Sequence, residues 1–250
     1  MEDYQLLIDL HKNQIRQGPG GEIESKKALN LTMVDKSQPL KIADIGCGTG
    51  VLSLLLADIL PLATITAVDF LPDFLKVLEN QAKQSGLSEK ITTLCCAMEN
   101  LPFAIEEYDI IWSEGAIYNM GFRKGIKDWY PYLKIGGLLV VSEITWITNS
   151  RPSEINQYWQ QEYSEIDTVS SKMNILEKNG YSPISYFVLP ENCWLDNYYQ
   201  PMENSFEDFL KRNHHSQEAQ AIVEAEKKEI ALYKKYKNYY SYGVYIAKKI

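Results

Sequence analysis

The stretch that decides the fold is residues 41–50, KIADIGCGTG, in which an apolar, β-type run ends in three alternating glycines. The next ten residues, VLSLLLADIL, have the apolar character of a buried helix that Pro61 would end. A strand, a glycine turn and a helix in this order form half of a βαβ unit. Glycine lets a backbone approach a ligand closely, and the turn presents the free N–H groups of a helix start. The pattern therefore predicts a binding loop for a nucleoside-bearing cofactor.

The spacing of the glycines distinguishes between cofactors. The dinucleotide fingerprint G-x-G-x-x-G fails, because Val51 stands where its third glycine belongs. A second run, ATITAVDF, predicts a strand ending at Asp69, where a carboxylate can hold a ribose diol. Asp44 places another carboxylate at the end of the first strand, next to where an ammonium group would fit. These features together predict a binding site for S-adenosylmethionine. The loop residues expected to bind it are Gly46, Cys47, Gly48 and Gly50.

Five motifs, in order and at the right spacing, resemble the class I S-adenosylmethionine-dependent methyltransferases, and most of all their ubiquinone/menaquinone-type subgroup. The motifs are DIGCGTG at 44–50, AVDF at 67–70, AMENLPF at 97–103, YDIIWSEG at 108–115 and LKIGGLLVVSE at 133–143. The resemblance implies an α/β, Rossmann-like sheet of seven mostly parallel strands with helices on both faces. It also implies that the last strand is antiparallel and lies between the fifth and the sixth.

The chain of 250 residues is long enough for one α/β domain with a sizeable core. We expect a single methyltransferase domain over residues 1–250, with a helical N-terminal lid at 1–38. The cofactor-binding half is expected at 39–145 and the substrate-side half at 146–250. Roughly fifty residues separate the last two predicted strands, more than a hairpin needs. We therefore predict an insertion at about 190–238 that covers the substrate.

The N-terminal segment predicts two helices, at 4–15 and 22–35, joined by the turn-rich sequence RQGPGG. The resemblance implies that this segment folds over the cofactor, with Gln17 and Gly18 near its methionine end. A simple hinge is the alternative. His11 lies on the apolar face of the first helix, where we expect a packed histidine rather than a base.

Two short segments are candidates for the adenine site. Phe70 directly follows the second predicted strand and either stacks on the adenine or packs in the core. In similar proteins an acidic side chain after the third strand binds the adenine, and Ala97 stands at that position here. Ala97 and Met98 are therefore expected to contribute backbone groups only.

The acceptor side is expected beyond the fourth and fifth predicted strands. Ser113 would line the reacting end of the pocket, since open α/β sheets bind ligands where the strand order reverses. Glu114 and Glu143 are predicted to end these strands and are candidate general bases or substrate anchors, with a structural carboxylate as the alternative. An aromatic wall suited to a small or flat acceptor is predicted from Tyr118, Trp146, Trp194 and Tyr198.

The chemistry of a sulfonium methyl group explains why no catalytic triad or metal cluster stands out. Such a reaction needs in-line placement of the nucleophile and exclusion of water. We predict an S-adenosylmethionine-dependent methyltransferase that acts on a small-molecule acceptor, without a metal. Two alternatives stay open: a same-fold transferase that moves an aminopropyl group or forms a cyclopropane, and an S-adenosylmethionine-binding protein without turnover.

Composition limits the partners and the compartment. The net charge of −8 and the pI near 5.1 disfavour nucleic acid and anionic membranes as partners. The sequence KKYKNYY is basic and aromatic, but the preceding EAEKKE neutralises it, so we prefer a solvated helix end. The N-terminus has acidic residues where a signal peptide has basic ones, and the four cysteines lack C-x-x-C spacing. We expect a cytoplasmic protein, with a homodimer as a candidate assembly.

Overall fold

A computed structural model describes residues 4–250 of the protein. Its eight strands form one sheet in the order β3-β2-β1-β4-β5-β8-β7, with the short β6 paired to β5. The strands are β1 (Lys41–Ile45), β2 (Thr64–Asp69), β3 (Ile91–Cys95), β4 (Tyr108–Ser113), β5 (Leu133–Trp146), β6 (Asp167–Thr168), β7 (Tyr181–Val188) and β8 (Tyr240–Lys249). Pairings along the sheet are parallel except those of β8, which is antiparallel to both β5 and β7. The predicted Rossmann-like sheet with an antiparallel last strand is confirmed, and the two-residue β6 adds to the seven expected strands.

Helices connect these strands and cover both faces of the sheet. They are α1 (Gln5–His11), α2 (Glu22–Leu31), α3 (Val51–Ile59), α4 (Pro72–Gln84), α5 (Phe122–Trp129), α6 (Ser153–Glu162), α7 (Val169–Lys178), α8 (Glu191–Trp194), α9 (Gln200–Arg212) and α10 (Gln217–Tyr236). Local sequence explains several boundaries. Pro72 starts α4, where a missing N–H costs nothing. The Ser216 hydroxyl accepts a hydrogen bond from the Ala219 N–H and so caps α10. No helix within residues 4–250 is long and apolar enough to cross a membrane.

The core lies on both faces of the sheet because strand side chains alternate in direction. Ile42 and Ile110 pack into the cluster on one face, whereas their neighbours Ala43 and Ile111 pack into the cluster on the other. All four side chains are fully buried. The near-continuous apolar character of β1 and β4 thus follows from burial of both faces, as in other parallel sheets.

Two predicted helical regions have different bounds in the structure. The first two helices are shorter than expected: α1 ends at His11 and α2 at Leu31. Residues 1–3 of the predicted lid lie outside the described residues. The aromatic segment 190–204 lies at the start of the predicted insertion. It is helical from α8 through a π-helical turn, Leu195–Tyr199, into α9.

Candidate functional site

A cavity of about 680 Å³ opens at the carboxyl ends of β1, β2 and β4. This is the point where the strand order reverses, because β1 lies between β2 and β4 and the connections leave in opposite directions. The glycine turn after β1 and the segments after β2, β3 and β4 form its floor and sides. The N-terminal segment and α10 contribute the remaining walls.

The glycine turn after β1 needs glycine at both positions that line the cavity. Gly46 and Gly48 have φ angles of 76° and 55°, in the region that L side chains rarely adopt. A Cβ on Gly46 would lie 2.3 Å from the Cβ of Ala116, and one on Gly48 would lie 2.3 Å from Oε1 of Gln17. Close packing of Ala116 and Gln17 thus requires glycine at both positions, and Gly46, Cys47 and Gly48 all line the cavity.

Gly50 has a different role from the one predicted. It does not line the cavity but forms the N-cap of α3, with a φ of 87°. A Cβ there would lie 2.2 Å from Cδ1 of Leu78 in α4. Glycine at this position thus allows α3 and α4 to pack closely, and the prediction of cofactor contact is wrong for this residue.

Asp69, at the end of β2, holds the glycine turn and also faces the cavity. Its carboxylate accepts hydrogen bonds from the N–H groups of Gly48 and Leu71, both at 2.9 Å. Burial raises the pKa of Asp69, and the backbone hydrogen bonds partly oppose this rise. Each oxygen accepts one of these bonds, so each retains a lone pair for a ligand hydroxyl.

Asp44 is the most deeply buried carboxylate of the cavity. Its side chain, 1% exposed, accepts a hydrogen bond of 2.6 Å from the Ser53 hydroxyl of α3. Burial raises the pKa of Asp44 to about 7. A cation placed in the cavity would stabilise the ionised form and lower this pKa.

The N-terminal segment closes over the glycine turn through Gln17. Oε1 of Gln17 accepts hydrogen bonds from the N–H of Thr49 at 2.9 Å and from its hydroxyl at 3.1 Å. Nε2 of Gln17 donates to the carbonyl groups of His11 and Gln14, both at 3.1 Å. Gln17 and Gly18 both line the cavity.

Glu114 follows β4 and lies in the cavity wall, where three donors hold it. Its carboxylate accepts hydrogen bonds from Arg16 at 3.0 Å, from the Ser25 hydroxyl at 2.7 Å and from the indole of Trp112 at 3.2 Å. Arg16 is itself buried. These contacts make Glu114 an anchor for the N-terminal segment, and they leave it poorly placed for a free general base.

Glu143 is not at the rim of the pocket, contrary to the prediction. β5 continues to Trp146, so Glu143 lies inside the strand rather than at its end. Its carboxylate is fully buried and pairs with the equally buried Lys172 of α7 at 2.9 Å. Burial raises the pKa of Glu143, and the charge of Lys172 opposes the rise. The pair lies outside the cavity lining, so a catalytic role for Glu143 finds no support in the geometry.

Three further predicted site residues lie in the core instead of the cavity. Ser113 is fully buried in β4 and absent from the cavity lining. Trp146 packs beneath the Arg151 guanidinium, 4.2 Å from the ring centroid. Trp194 donates a hydrogen bond of 2.9 Å to Ser241 and stacks on Tyr233 with 4.5 Å between ring centroids. Trp194 of the insertion thus packs against β8 rather than against the cavity.

The predicted adenine segment does border the cavity. Phe70 is 52% exposed and makes an edge-on contact with Tyr4 of the N-terminal segment. Ala97 and Met98 line the cavity next to it, and Glu99 brings a carboxylate close by. The Met98 carbonyl accepts a hydrogen bond from the indole of Trp129, which fixes the loop.

The acceptor side of the cavity includes residues that the sequence did not reveal. Tyr118 and Tyr198 line it as predicted, and His11 joins them from α1. Glu226 and Glu229 of α10 also line it. In the sequence these two glutamates are part of a charged helix and resemble a solvated face. Their spacing of one helical turn was the available signal, because it places both on the same side.

Comparisons with known proteins agree with this architecture. Residues 42–137 match the model of a family described as a methyltransferase domain. A demethylmenaquinone methyltransferase of Bacteroides fragilis is 31% identical over 121 residues, covering 48% of this chain and 49% of that protein. The chain thus spans about half the length of the curated relatives it matches.

Two solved structures share the fold over nearly the whole chain. One is an S-adenosylmethionine-dependent methyltransferase from Geobacter sulfurreducens, in complex with S-adenosyl-L-homocysteine. Its TM-score is 0.84 at 14% identity, covering 98% of each chain. The other is the [4+2]-cyclase SpnF, with a TM-score of 0.80 at 17% identity, covering 99% of this chain and 94% of that one. The family match and the sequence relatives confirm the predicted resemblance to class I, ubiquinone/menaquinone-type methyltransferases. The two solved structures show that the fold is shared.

Proposed function

We propose that the protein is a methyltransferase that binds S-adenosylmethionine in the cavity and moves its methyl group to a small-molecule acceptor. The observation that carries this proposal is the glycine turn at the end of β1, which lines the cavity and is held by the Asp69 carboxylate. A backbone surface next to a carboxylate fits a ribose-bearing ligand. The relatives named as methyltransferases support the same assignment.

The residues present fit this cofactor at each of its parts. The ribose hydroxyls would donate to Asp69, and the ammonium group would meet the buried carboxylate of Asp44. Phe70 and the backbone of Ala97 and Met98 would border the adenine. The cavity wall has more carboxylates than cationic side chains. This balance suits a ligand that carries two positive groups, a sulfonium and an ammonium, and one carboxylate.

The methionine end of the cofactor would lie under the N-terminal segment. Gln17 and Gly18 border the glycine turn there, and Gln17 already joins the segment to Thr49. The Arg16–Glu114 pair closes the same side of the cavity. This cover would keep water from the reacting atoms, which matters because water competes with the acceptor as a nucleophile.

The bound cofactor supplies a methyl group that its sulfonium already activates. The chain has to hold the acceptor in line with that group and to keep the acceptor in its reactive protonation state. Tyr118 and Tyr198 would border the acceptor. The acceptor would therefore bind between the end of β4 and α10.

Two alternatives are tested with the main proposal. The first alternative is a different reaction on the same fold, either transfer of an aminopropyl group or cyclopropane formation. The similarity to a [4+2]-cyclase is a reason to test it, because a fold does not determine the reaction. A cofactor-binding protein without turnover is the other. Incubation with methyl-labelled S-adenosylmethionine and a metabolite extract separates them. With a CD3 label, a product that gains all three deuterium atoms supports methyl transfer, a product that gains two of them supports cyclopropane formation, and binding without consumption supports the protein without turnover. Product formation without label would favour another reaction.

Compartment and assembly are also proposals. The four cysteines are free thiols, which suits a reducing, cytoplasmic environment. A homodimer is the candidate assembly, and nucleic acid is not expected as a partner of a chain with a net charge of −8. Size-exclusion chromatography with multi-angle light scattering would determine the oligomeric state.

A further inference from the structure

Helix α10 presents two glutamates to the acceptor side of the cavity. Glu226 and Glu229 are one helical turn apart and both line the cavity. Glu229 accepts a hydrogen bond of 2.8 Å from the Tyr199 hydroxyl. Within residues 4–250 neither carboxylate takes part in a salt bridge, although the neighbouring Lys227 pairs with Glu224 on the outer side at 2.9 Å. The helix thus leaves two carboxylates without a cation at the cavity wall.

The lack of a cation has an electrostatic cost. Burial raises the pKa of Glu226 to about 7, and the nearby charge of Glu229 contributes to this rise. Burial also raises the pKa of Glu229, with the Tyr199 hydroxyl opposing the change. Carboxylates that are partly removed from water and close to each other resist ionisation unless a positive charge is near. A cationic ligand would remove this cost.

Two aromatic rings face the same space as these carboxylates. Tyr118, after β4, and Tyr198, in the π-helical turn, both line the cavity. After burial, the charge of Glu229 is the next cause that raises the pKa of Tyr118, and the charge of Glu226 is the next for Tyr198. The rings and the carboxylates therefore line the same cavity. Aromatic faces beside carboxylates attract cations that are removed from water.

His11 gives an independent indication that a ligand binds here. Its ring lines the cavity and stacks on Tyr198 with 6.5 Å between ring centroids. Its Nδ1 atom is buried and has no hydrogen-bond partner within residues 4–250. Burial lowers the pKa of His11 to about 4, so the ring is neutral at pH 7 and does not balance the carboxylates. Because the ring lines the cavity, a polar group of a ligand bound there could satisfy this atom.

The charged side chains of the whole cavity also favour a cationic ligand. Among the described residues that line it, Arg16 is the basic side chain that carries a charge at pH 7, and it is paired with Glu114. The lining carboxylates are Asp44, Asp69, Glu99, Glu114, Glu226 and Glu229. The proposed cofactor would meet the carboxylates at the ends of β1 and β2. The two of α10 are left for the acceptor.

We propose that the methyl acceptor is a small molecule with a cationic nitrogen, bound between the carboxylates of Glu226 and Glu229 and the rings of Tyr118 and Tyr198. The inference rests on the proposed methyltransferase function, because it assigns a substrate class to the acceptor side of the same cavity. An anionic acceptor would be repelled by both carboxylates. A neutral acceptor would leave them without a counter-charge.

A pair of isosteric probes tests this inference on the full-length chain. The protein is saturated with S-adenosylhomocysteine and titrated by calorimetry with choline or with its uncharged carbon isostere, in which carbon replaces the nitrogen. We expect choline to bind at least about tenfold more tightly, the ratio that corresponds to about 1.4 kcal/mol. Equal affinities, or no saturable binding of choline, would overturn the inference.

Variants then locate the site. Glu226→Gln and Glu229→Gln should each weaken choline binding about tenfold and leave binding of the isostere unchanged. Glu224→Gln is the matched control, because this glutamate of the same helix is exposed and pairs with Lys227. Unchanged choline affinity in both cavity variants would refute the assignment, and the wild-type probe comparison remains decisive if a variant fails to fold.

Failure of the proposed function would look different. If S-adenosylhomocysteine does not bind at all, the cofactor assignment fails, and choline is titrated into the protein alone. If S-adenosylhomocysteine binds and choline shows no preference over its isostere, the substrate class fails while the proposed methyltransferase function stands.

Discussion

Replacement of Asp69 by alanine tests the proposed cofactor site most directly. The carboxylate holds the N–H groups of Gly48 and Leu71 at 2.9 Å, and it has lone pairs left for a ribose diol. A hydrogen bond to a charged group contributes about 1.5–3 kcal/mol. Loss of one ribose bond therefore weakens S-adenosylhomocysteine binding about tenfold, and loss of both weakens it about a hundredfold or more.

Loss of the bond to Gly48 acts in the same direction, because the glycine turn is then held less firmly in its binding conformation. Asp69→Asn keeps one acceptor oxygen and removes the charge, so we expect its affinity to lie between those of the wild type and Asp69→Ala. The assay is calorimetric titration with S-adenosylhomocysteine, after circular dichroism has shown that each variant is folded.

Asp73→Ala is the matched control for this experiment. Asp73 lies in the first turn of α4, close to Asp69 in the chain, and its side chain is exposed. It changes the net charge by the same amount and should leave the affinity unchanged. Full affinity in folded Asp69→Ala would refute the cofactor assignment, whereas equal losses in Asp69→Ala and Asp73→Ala would point to a general effect of charge.

Three other changes test the site and its support. Gly48→Ala places a methyl group 2.3 Å from Oε1 of Gln17, at a φ of 55° that side chains rarely adopt. Calorimetry should therefore show that the affinity for S-adenosylhomocysteine is reduced about tenfold. Wild-type affinity would contradict a close approach of the cofactor to the backbone of this loop. Burial raises the pKa of Asp44 from 3.8 to about 7, so the folded state keeps a proton that the unfolded state releases. The free energy of unfolding, measured with urea, should therefore fall as the pH rises from 4 to 7. Other buried carboxylates such as Glu226 contribute to the same fall, so Asp44→Asn should reduce the slope by the share of one carboxylate; an unchanged slope in the variant would exclude a contribution from Asp44. Lys172→Met leaves the Glu143 carboxylate buried without its partner and should lower the free energy of unfolding by about 3–5 kcal/mol. Addition of Glu143→Gln should restore part of that loss, and full stability of Lys172→Met would show that the pair is unimportant.

The cofactor half could be predicted from the sequence because its signals are local. The glycine turn, the β1 strand before it and the α3 helix after it are adjacent in the chain, and each has a composition that favours its own structure. Asp69 could be predicted because parallel strands place their carboxyl ends at one edge of the sheet. Gly50 was misassigned because the sequence shows that a turn needs glycine but not which neighbour demands it, and here the neighbour is Leu78.

Glu143 shows why the ends of strands are difficult to predict. The apolar run before it suggests a strand that ends at the glutamate. Pairing with β8, however, extends β5 as far as Trp146, which lies opposite Tyr240. This pairing joins segments about a hundred residues apart, so the local sequence pattern around Glu143 does not predict it. A residue predicted at the edge of the sheet is therefore inside it, where Lys172 compensates its charge.

The acceptor side depends even more on distant contacts. His11, Tyr118 and Glu226 line one cavity, yet each lies about a hundred residues from the next in the chain. Whether a glutamate of α10 faces water or the cavity depends on how the insertion packs on α1, through contacts such as Asp9 with Arg212 at 3.1 Å. Helix periodicity places Glu226 and Glu229 on one face but does not say what that face meets. The proposed substrate class therefore depends on the tertiary structure, whereas the cofactor class could be predicted from a short stretch of sequence.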